Sequence, residues 1–484
     1  MIDIDQDFVD SSALNPGAIK NGRGLVMKNK FVKLHKSDDE TLIFGECSGS
    51  GKSNYFVSCD FVQPDKPVHR CNCPSRQFPC KHCVGLMYAW VDGKTFTVAD
   101  VPEDVASKRE KIEKRVEKKK AAAKKPRKVN KTALLKKITL QLEGLNLLEK
   151  LTFDLLRMGM GNTNAKTARQ IEEQAKQLGN SHLPGAQAAL HNYTKLFVND
   201  EGDFDSNVKA TQREHVYGEA FDQLTRLHSL VKQGRAYLKS RSEDPELKPE
   251  TETAIAAWLG HAWQLRELSE VGLVQENVEL IQLAFNSYDD VARREFVETG
   301  IWMNLGSGAI QLTQNYRPYR AARFIKEEDS FFKVAQIKEL CVYPGDVNPR
   351  VRWDSMLPRN VDKKDYQTVR KHGHSDFAAL IKAVKGQLKG PLADKRPIYA
   401  LNFTKIGQIG DDLVVEDGKG ERLVFTETGM AEEPKSCHLL PMLPKELHQK
   451  QTLIARFHHD VDTRLLRVKP LSIVTKDANV RLTF

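Results

Sequence analysis

The spacing of apolar residues changes texture several times along the chain. Between residues 20 and 63 short β-favouring runs, at 25–27, 31–34, 41–46 and 54–61, are separated by Gly, Asn, Asp and Ser, a pattern that predicts antiparallel strands. Val84, Met87, Tyr88 and Val91 then recur at helical spacing and predict a short helix. From Thr132, a plausible N-cap, Leu135, Ile138, Leu142, Leu145 and Leu148 line one face of a longer helix. Further helices are expected over 164–178, 184–198, 206–239, 248–269 and 278–299, with Ala254, Ile255, Trp258 and Trp263 as core candidates. Short connections between them suit an antiparallel bundle or a solenoid-like stack. The last third returns to strands, at 331–342, 396–403, 412–416, 422–425, 453–458, 465–468, 471–474 and 479–484, around a helix over 376–388. Their connections are too short for parallel crossovers, so the strands are expected to be antiparallel. The resulting fold class is multidomain α+β: a small β-rich module over 1–106, a linker over 107–131, a central all-α scaffold over 132–300 and a C-terminal mixed antiparallel α+β domain over 301–484.

Charge redraws one part of this picture. The chain of 484 residues carries a formal net charge of +10, yet residues 107–137 alone hold fifteen Lys or Arg against three Glu. The remainder has 59 basic and 61 acidic residues, so the sequence pI of about 9.0 describes a local basic stretch and not the folded domains. Lys118, Lys119, Lys120, Lys124, Lys125, Arg127 and Lys128 form its centre. They read either as a soluble tether or as a nonspecific, salt-sensitive contact to a polyanion such as DNA. No run of eighteen apolar residues is present, so no membrane span is expected.

Candidate chemistry concentrates between His69 and Trp90, a stretch with Cys71, Cys73, Cys80, Cys83, His69 and His82. Cys71, Cys73, Cys80 and His82 form two tight donor pairs across a six-residue gap, a set suited to one tetrahedral Zn2+. Three thiolates and an imidazole leave no open position for substrate water, which makes the site structural. His69 is a spare donor, and Cys83 is expected as a small apolar residue on the following helix. Arg70, Arg76 and Lys81 either offset the anionic metal centre or contact phosphates. Residues 1–12 are acidic and lack a long apolar run, so a reducing cytoplasm is the expected location and disulfides are not.

The order C-x-C, gap, C-x-H resembles the SWIM zinc finger, and Cys71-Asn72-Cys73-Pro74-Ser75 with Pro79-Cys80-Lys81-His82 is similar to its bacterial form. That resemblance implies a structural zinc held by the same four residues and a module that binds DNA or protein. It also points to a MoxR-type ATPase and a von Willebrand factor A-domain protein as partners. The rest of the chain offers no competing chemistry. In residues 45–53 a phosphate-binding loop would need Gly where Glu46 stands, and the run leads into a strand, so no nucleotide is expected. His182, His191, His215, His228 and His261 are scattered without metal-binding spacing. Asn315 to Arg320, with Arg323, reads as a packed loop or as a stacking surface for bases or a protein. His458 and His459 are adjacent on a strand and face opposite ways. The expected protein is therefore a noncatalytic, cytoplasmic zinc-binding adaptor for a protein partner, with nonspecific DNA binding as the alternative.

Overall fold

The computed structural model describes every residue except 1, 3, 14–15, 50–52, 63–66, 76–78, 112–129, 198–209, 291–293, 323–324, 326, 346, 428–433, 462 and 484. Two compact units are present, residues 1–127 with 335–338 and 354–359, and residues 128–334 with 339–353 and 360–484.

The first unit begins with helices α1 (Gln6–Ser12) and α2 (Pro16–Met27). Strands β1 (Phe31–Lys36), β2 (Leu42–Cys47), β3 (Tyr55–Asp60) and β4 (Val68–Cys71) follow, then α3 (Lys81–Val91) and β5 (Thr97–Val98). The sheet order is β4-β3-β2-β1-β5, an antiparallel meander closed by the parallel β5. Residues 103–111 are helical (α4). The strand expected at 25–27 is instead the end of α2: Val26 is buried while Met27 is 83 % exposed. Three apolar letters are too few to distinguish a period of two from 3.6.

A single core joins α3 to the sheet, with Val57, Cys59, Val84, Leu86, Met87 and Tyr88 all buried in it. On its other side α3 meets α2 almost backbone to backbone. A Cβ added at Gly85 would stand 3.0 Å from the Gly22 carbonyl oxygen, and one added at Gly22 would stand 2.9 Å from Val84 Cγ1. Tyr88 donates its hydroxyl to Asp10 of α1, which also accepts from Arg23 of α2. The helix that carries His82 is thus fixed on both faces.

In the second unit α5 (Lys131–Met158), α6 (Ala165–Asn180), α7 (Pro184–Lys195) and α8 (Ala210–Glu243) enclose an apolar core that includes Ile138, Leu145 and Leu148. Asn130, not Thr132, caps α5, and Leu135 is 40 % exposed. The helix expected over 248–269 is broken into α9 (Ile255–Trp258) and α10 (Leu265–Glu270), because Gly260 between them adopts φ +72°. The helix expected over 278–299 is a correction of kind. That segment forms β6 (Val274–Asp290) and the start of β7 (Glu295–Asn304), paired antiparallel. Leu280 to Asn286 are buried without a break, and a continuous apolar run lacks the alternation that separates a strand from a buried helix.

Strands β8 (Ile310–Pro318), β9 (Val334–Val342) and β10 (Val351–Arg352) complete a sheet ordered β10-β9-β6-β7-β8; β11 (Leu357–Arg359) pairs with β9. Helices α11 (Lys363–Lys371) and α12 (Phe377–Leu388) precede β12 (Ile398–Asn402), β13 (Lys405–Ile409), β14 (Asp412–Glu416), β15 (Arg422–Phe425), β16 (Thr452–Asp460), β17 (Leu465–Val474) and β18 (Asn479–Arg481). Their sheet is antiparallel as expected, except that β15 pairs parallel with β17. The runs 465–468 and 471–474 are one strand that continues through Pro470. Helices and several mixed sheets together make the chain α+β. No helix among the described residues is long and apolar enough to cross a membrane.

Candidate metal centre

The first donors are placed by strand register. Cys71 lies opposite Val57 and His69 opposite Cys59 in the β3–β4 pair. Residues two apart on a strand share a face, so His69 and Cys71 project together with Val57 and Cys59, which pack in the core formed with α3. The chain then turns through Cys73 and Pro74 and returns at Cys80, the N-cap residue of α3. Cys80 makes no side-chain capping bond, which leaves its sulfur to the other donors, and His82 sits in the first helical turn. Pro79 next to the cap favours the extended backbone from which such a helix starts.

The donor atoms of Cys71, Cys73, Cys80 and His82 all lie within 4.8 Å of one another. Cys71 Sγ is 3.7 Å and Cys80 Sγ 3.8 Å from His82 Nδ1, which makes Nδ1 the nitrogen that faces the sulfurs. Zinc bonds of about 2.3 Å to sulfur and 2.0–2.1 Å to nitrogen give a tetrahedron with donor–donor edges of about 3.5–3.8 Å. The two edges to His82 match that tetrahedron, and the full set, within 4.8 Å, needs only small side-chain shifts to close on the ion. All eight cysteines are free thiols. Cys73, Cys80 and His82 are buried and Cys71 is half-buried, while the Tyr55 ring packs 5.0 Å from the His82 ring. A closed, sheltered set of four ligands holds one structural zinc.

Electrostatics prepare the same atoms. Interactions with Cys71 and Cys83 hold the Cys80 thiol far below its ordinary value, and Cys71 is pushed up in return. Cys80 stands at the N-terminus of α3, where the helix dipole favours an anion. Metal binding displaces the protons that remain.

Residues 55–90 match the family model of the SWIM zinc finger. The chain carries a SWIM zinc finger. The match begins at the first residue of β3, runs through β4 and the ligand loop, and ends one residue short of the end of α3. No curated protein and no solved structure matches the chain.

The basic residues near the finger divide. Arg70 donates to Asp60 at 3.2 Å, and the same carboxylate accepts two bonds from Arg109 of α4, at 3.0 and 2.9 Å. Asp60 is buried, so Arg70 and Arg109 are structural partners of an internal charge. Lys81 is exposed at the start of α3. Arg76, Lys118, Lys119, Lys120, Lys124, Lys125, Arg127 and Lys128 lie outside the described residues.

Two features escaped the sequence. Cys83 is fully buried, as a small core residue should be, but its sulfur also lies 3.7 Å from Cys80 Sγ. Cys59 Sγ donates to the Cys83 carbonyl oxygen at 3.6 Å. Burial pushes the Cys59 thiol up, but its interactions with Cys83 and the neighbouring His69 outweigh this and bring it to about 6. The Cys80-to-Cys83 spacing was the available signal, masked by the overlapping C-x-H pair. The cluster at 315–320 belongs to β8 and its end: buried Arg317 pairs with the fully buried Glu298, and Tyr319 bonds to Asp289.

Beside the metal ligands runs an open groove of about 560 Å³. Gly17, Asn21 and Leu25 of α2 form one wall, Tyr55 and Ser48 another, and Cys73, Pro74, Cys80 and His82 the floor. Among the described residues, Lys30 and Lys81 are the lysines that line it.

Proposed function

We propose that the chain is a noncatalytic adaptor whose zinc-held finger presents the groove between α2 and the ligand loop to a protein partner. The observation that carries this reading is the groove itself. Its walls mix apolar side chains, backbone and a few polar groups, the composition of a peptide-sized recognition site. Zinc would act there by fixing the shape of the floor, since three of the four ligands line it. Arg70, which a phosphate contact would use, is held by Asp60. This weakens the case for nucleic acid at the finger. By resemblance to bacterial SWIM-domain proteins, the candidate partners are a MoxR-type ATPase and a von Willebrand factor A-domain protein in the cytoplasm.

The test is direct binding of purified candidates of these two classes to the zinc-loaded chain, to Cys71→Ser, and to a groove variant, Leu25→Glu. Binding by wild type that is lost in both variants supports the adaptor. Equal binding by all three rejects the finger as the docking surface. Nonspecific DNA binding is the second reading, favoured by the net charge of the 107–137 stretch and testable by its steep salt dependence.

A further inference from the structure

Cys80 is one of the four residues that would hold zinc, and a sulfur outside that set stands beside it. Cys83 lies outside the group of four mutually close donors, yet its Sγ is 3.7 Å from Cys80 Sγ. The two residues are the N-cap of α3 and a member of its first turn. A disulfide needs the sulfurs at about 2.05 Å with Cα atoms about 4.4–6.8 Å apart, a separation that positions three apart at a helix start satisfy. Thiolates at helix N-termini in C-x-x-C spacing are the reactive kind. Access is asymmetric as well: Cys80, though only 4 % exposed, lines the open groove, whereas Cys83 is fully buried and does not line it.

We infer that Cys80 and Cys83 form a reversible oxidation site, with a hydroperoxide as oxidant and zinc release as its consequence. The Cys80 thiolate, reached through the groove, attacks the terminal peroxide oxygen. The O–O bond breaks, Cys80 becomes a sulfenic acid, and the alkoxide or hydroxide fragment leaves with a proton as alcohol or water. Cys83 sulfur then attacks Cys80 sulfur, the S–S bond forms, and hydroxide departs with the Cys83 proton as water. Two thiols and one hydroperoxide thus give one disulfide, one alcohol or water, and one water. The metal loses one of its four donors and is left with Cys71, Cys73 and His82. A dithiol reductant restores Cys80 and the site.

The chemistry rests on the zinc assignment, not on the adaptor reading, and metal content measured before oxidation keeps the two apart. Full-length zinc-loaded protein is treated with equimolar hydrogen peroxide. Released zinc is followed with a chromogenic chelator, and thiols are mapped by alkylation and mass spectrometry. The expected result is about one equivalent of zinc released, a Cys80–Cys83 disulfide, and recovery of zinc binding after dithiol treatment. Cys83→Ser should bind zinc as wild type does, yield a trappable sulfenic acid at Cys80, and form no disulfide there. A disulfide between Cys80 and Cys71 or Cys73, or reversible release that is unchanged in Cys83→Ser, overturns the assignment.

Discussion

Replacing Asp60 with Ala tests whether the arginines beside the finger serve the fold or a ligand. Asp60 is 4 % exposed, and the side chains of Arg70 and Arg109 that converge on it are each 15 % exposed. Three charge-assisted bonds of 2.9–3.2 Å end on this carboxylate. Removing one partner of a buried ion pair costs about 3–5 kcal/mol, because the remaining charge keeps its desolvation without its counterion. Arg109 keeps Asp39 at 3.8 Å and its bond to Thr41, and residual exposure lets water moderate the loss at Arg70, so about 3 kcal/mol is expected. At about 1.4 kcal/mol per factor of ten this is roughly a hundredfold change in opening equilibrium. Hydrogen exchange followed by mass spectrometry reads it locally, in peptides from β3, β4 and α4. Protection there should fall by about two orders of magnitude, while peptides of the second unit stay unchanged. A fall of less than about fivefold, under about 1 kcal/mol, would refute the idea that these charges are internal. Arg70 would then return as a candidate phosphate contact.

Three further outcomes are expected. Purified without added metal, wild type and Cys83→Ala should each hold about one zinc per chain, whereas Cys71→Ala, Cys73→Ala, Cys80→Ala and His82→Ala should lose it; atomic emission decides, and stoichiometric zinc in all four ligand variants would sink the assignment. Labelled duplex DNA should bind, if at all, through the basic stretch, so glutamine at Lys118, Lys119, Lys120, Lys124, Lys125, Arg127 and Lys128 should abolish binding and its salt slope, while Arg70→Ala leaves both intact. Burial holds the His374 imidazole below its ordinary value, so the unfolded chain takes a proton near pH 6.5 that the fold resists. Its contribution is full above that pH and is lost as pH falls through the folded value; urea midpoints between pH 5 and 7 should fall less steeply in His374→Gln than in wild type.

How much of this was legible in the sequence depended on the range of the interaction. The four zinc ligands were readable because their chemistry is local, two pairs within twelve residues. Strands β1 to β3 kept enough turn residues around them to be placed, although Leu42 to Gly45 of β2 are buried without a break. β6 and β7 were not, since Leu280 to Asn286 are covered on both faces and carry no alternation. Arg70 shows a different limit. Its basic character was plain, but its partner Asp60 stands 10 residues before it, and the third member, Arg109, stands 49 residues beyond that carboxylate. Nothing in residues 69–90 announces them. Cys83 shows the same limit at short range, where sequence spacing gave its helical position but not the sulfur it faces.

The opposition of Cys71 to Val57 across β3 and β4 has a consequence for how the unit assembles. Slipping β4 by one residue would turn every one of its side chains to the opposite face. Cys71 would then point away from α3, and the ion would find three donors instead of four. Zinc therefore discriminates between correct and shifted strand pairing by the affinity of its fourth ligand, and it favours only the aligned sheet. In a nascent chain the metal would thus act as a proofreader of β-register, adding its affinity to one alignment of two short strands.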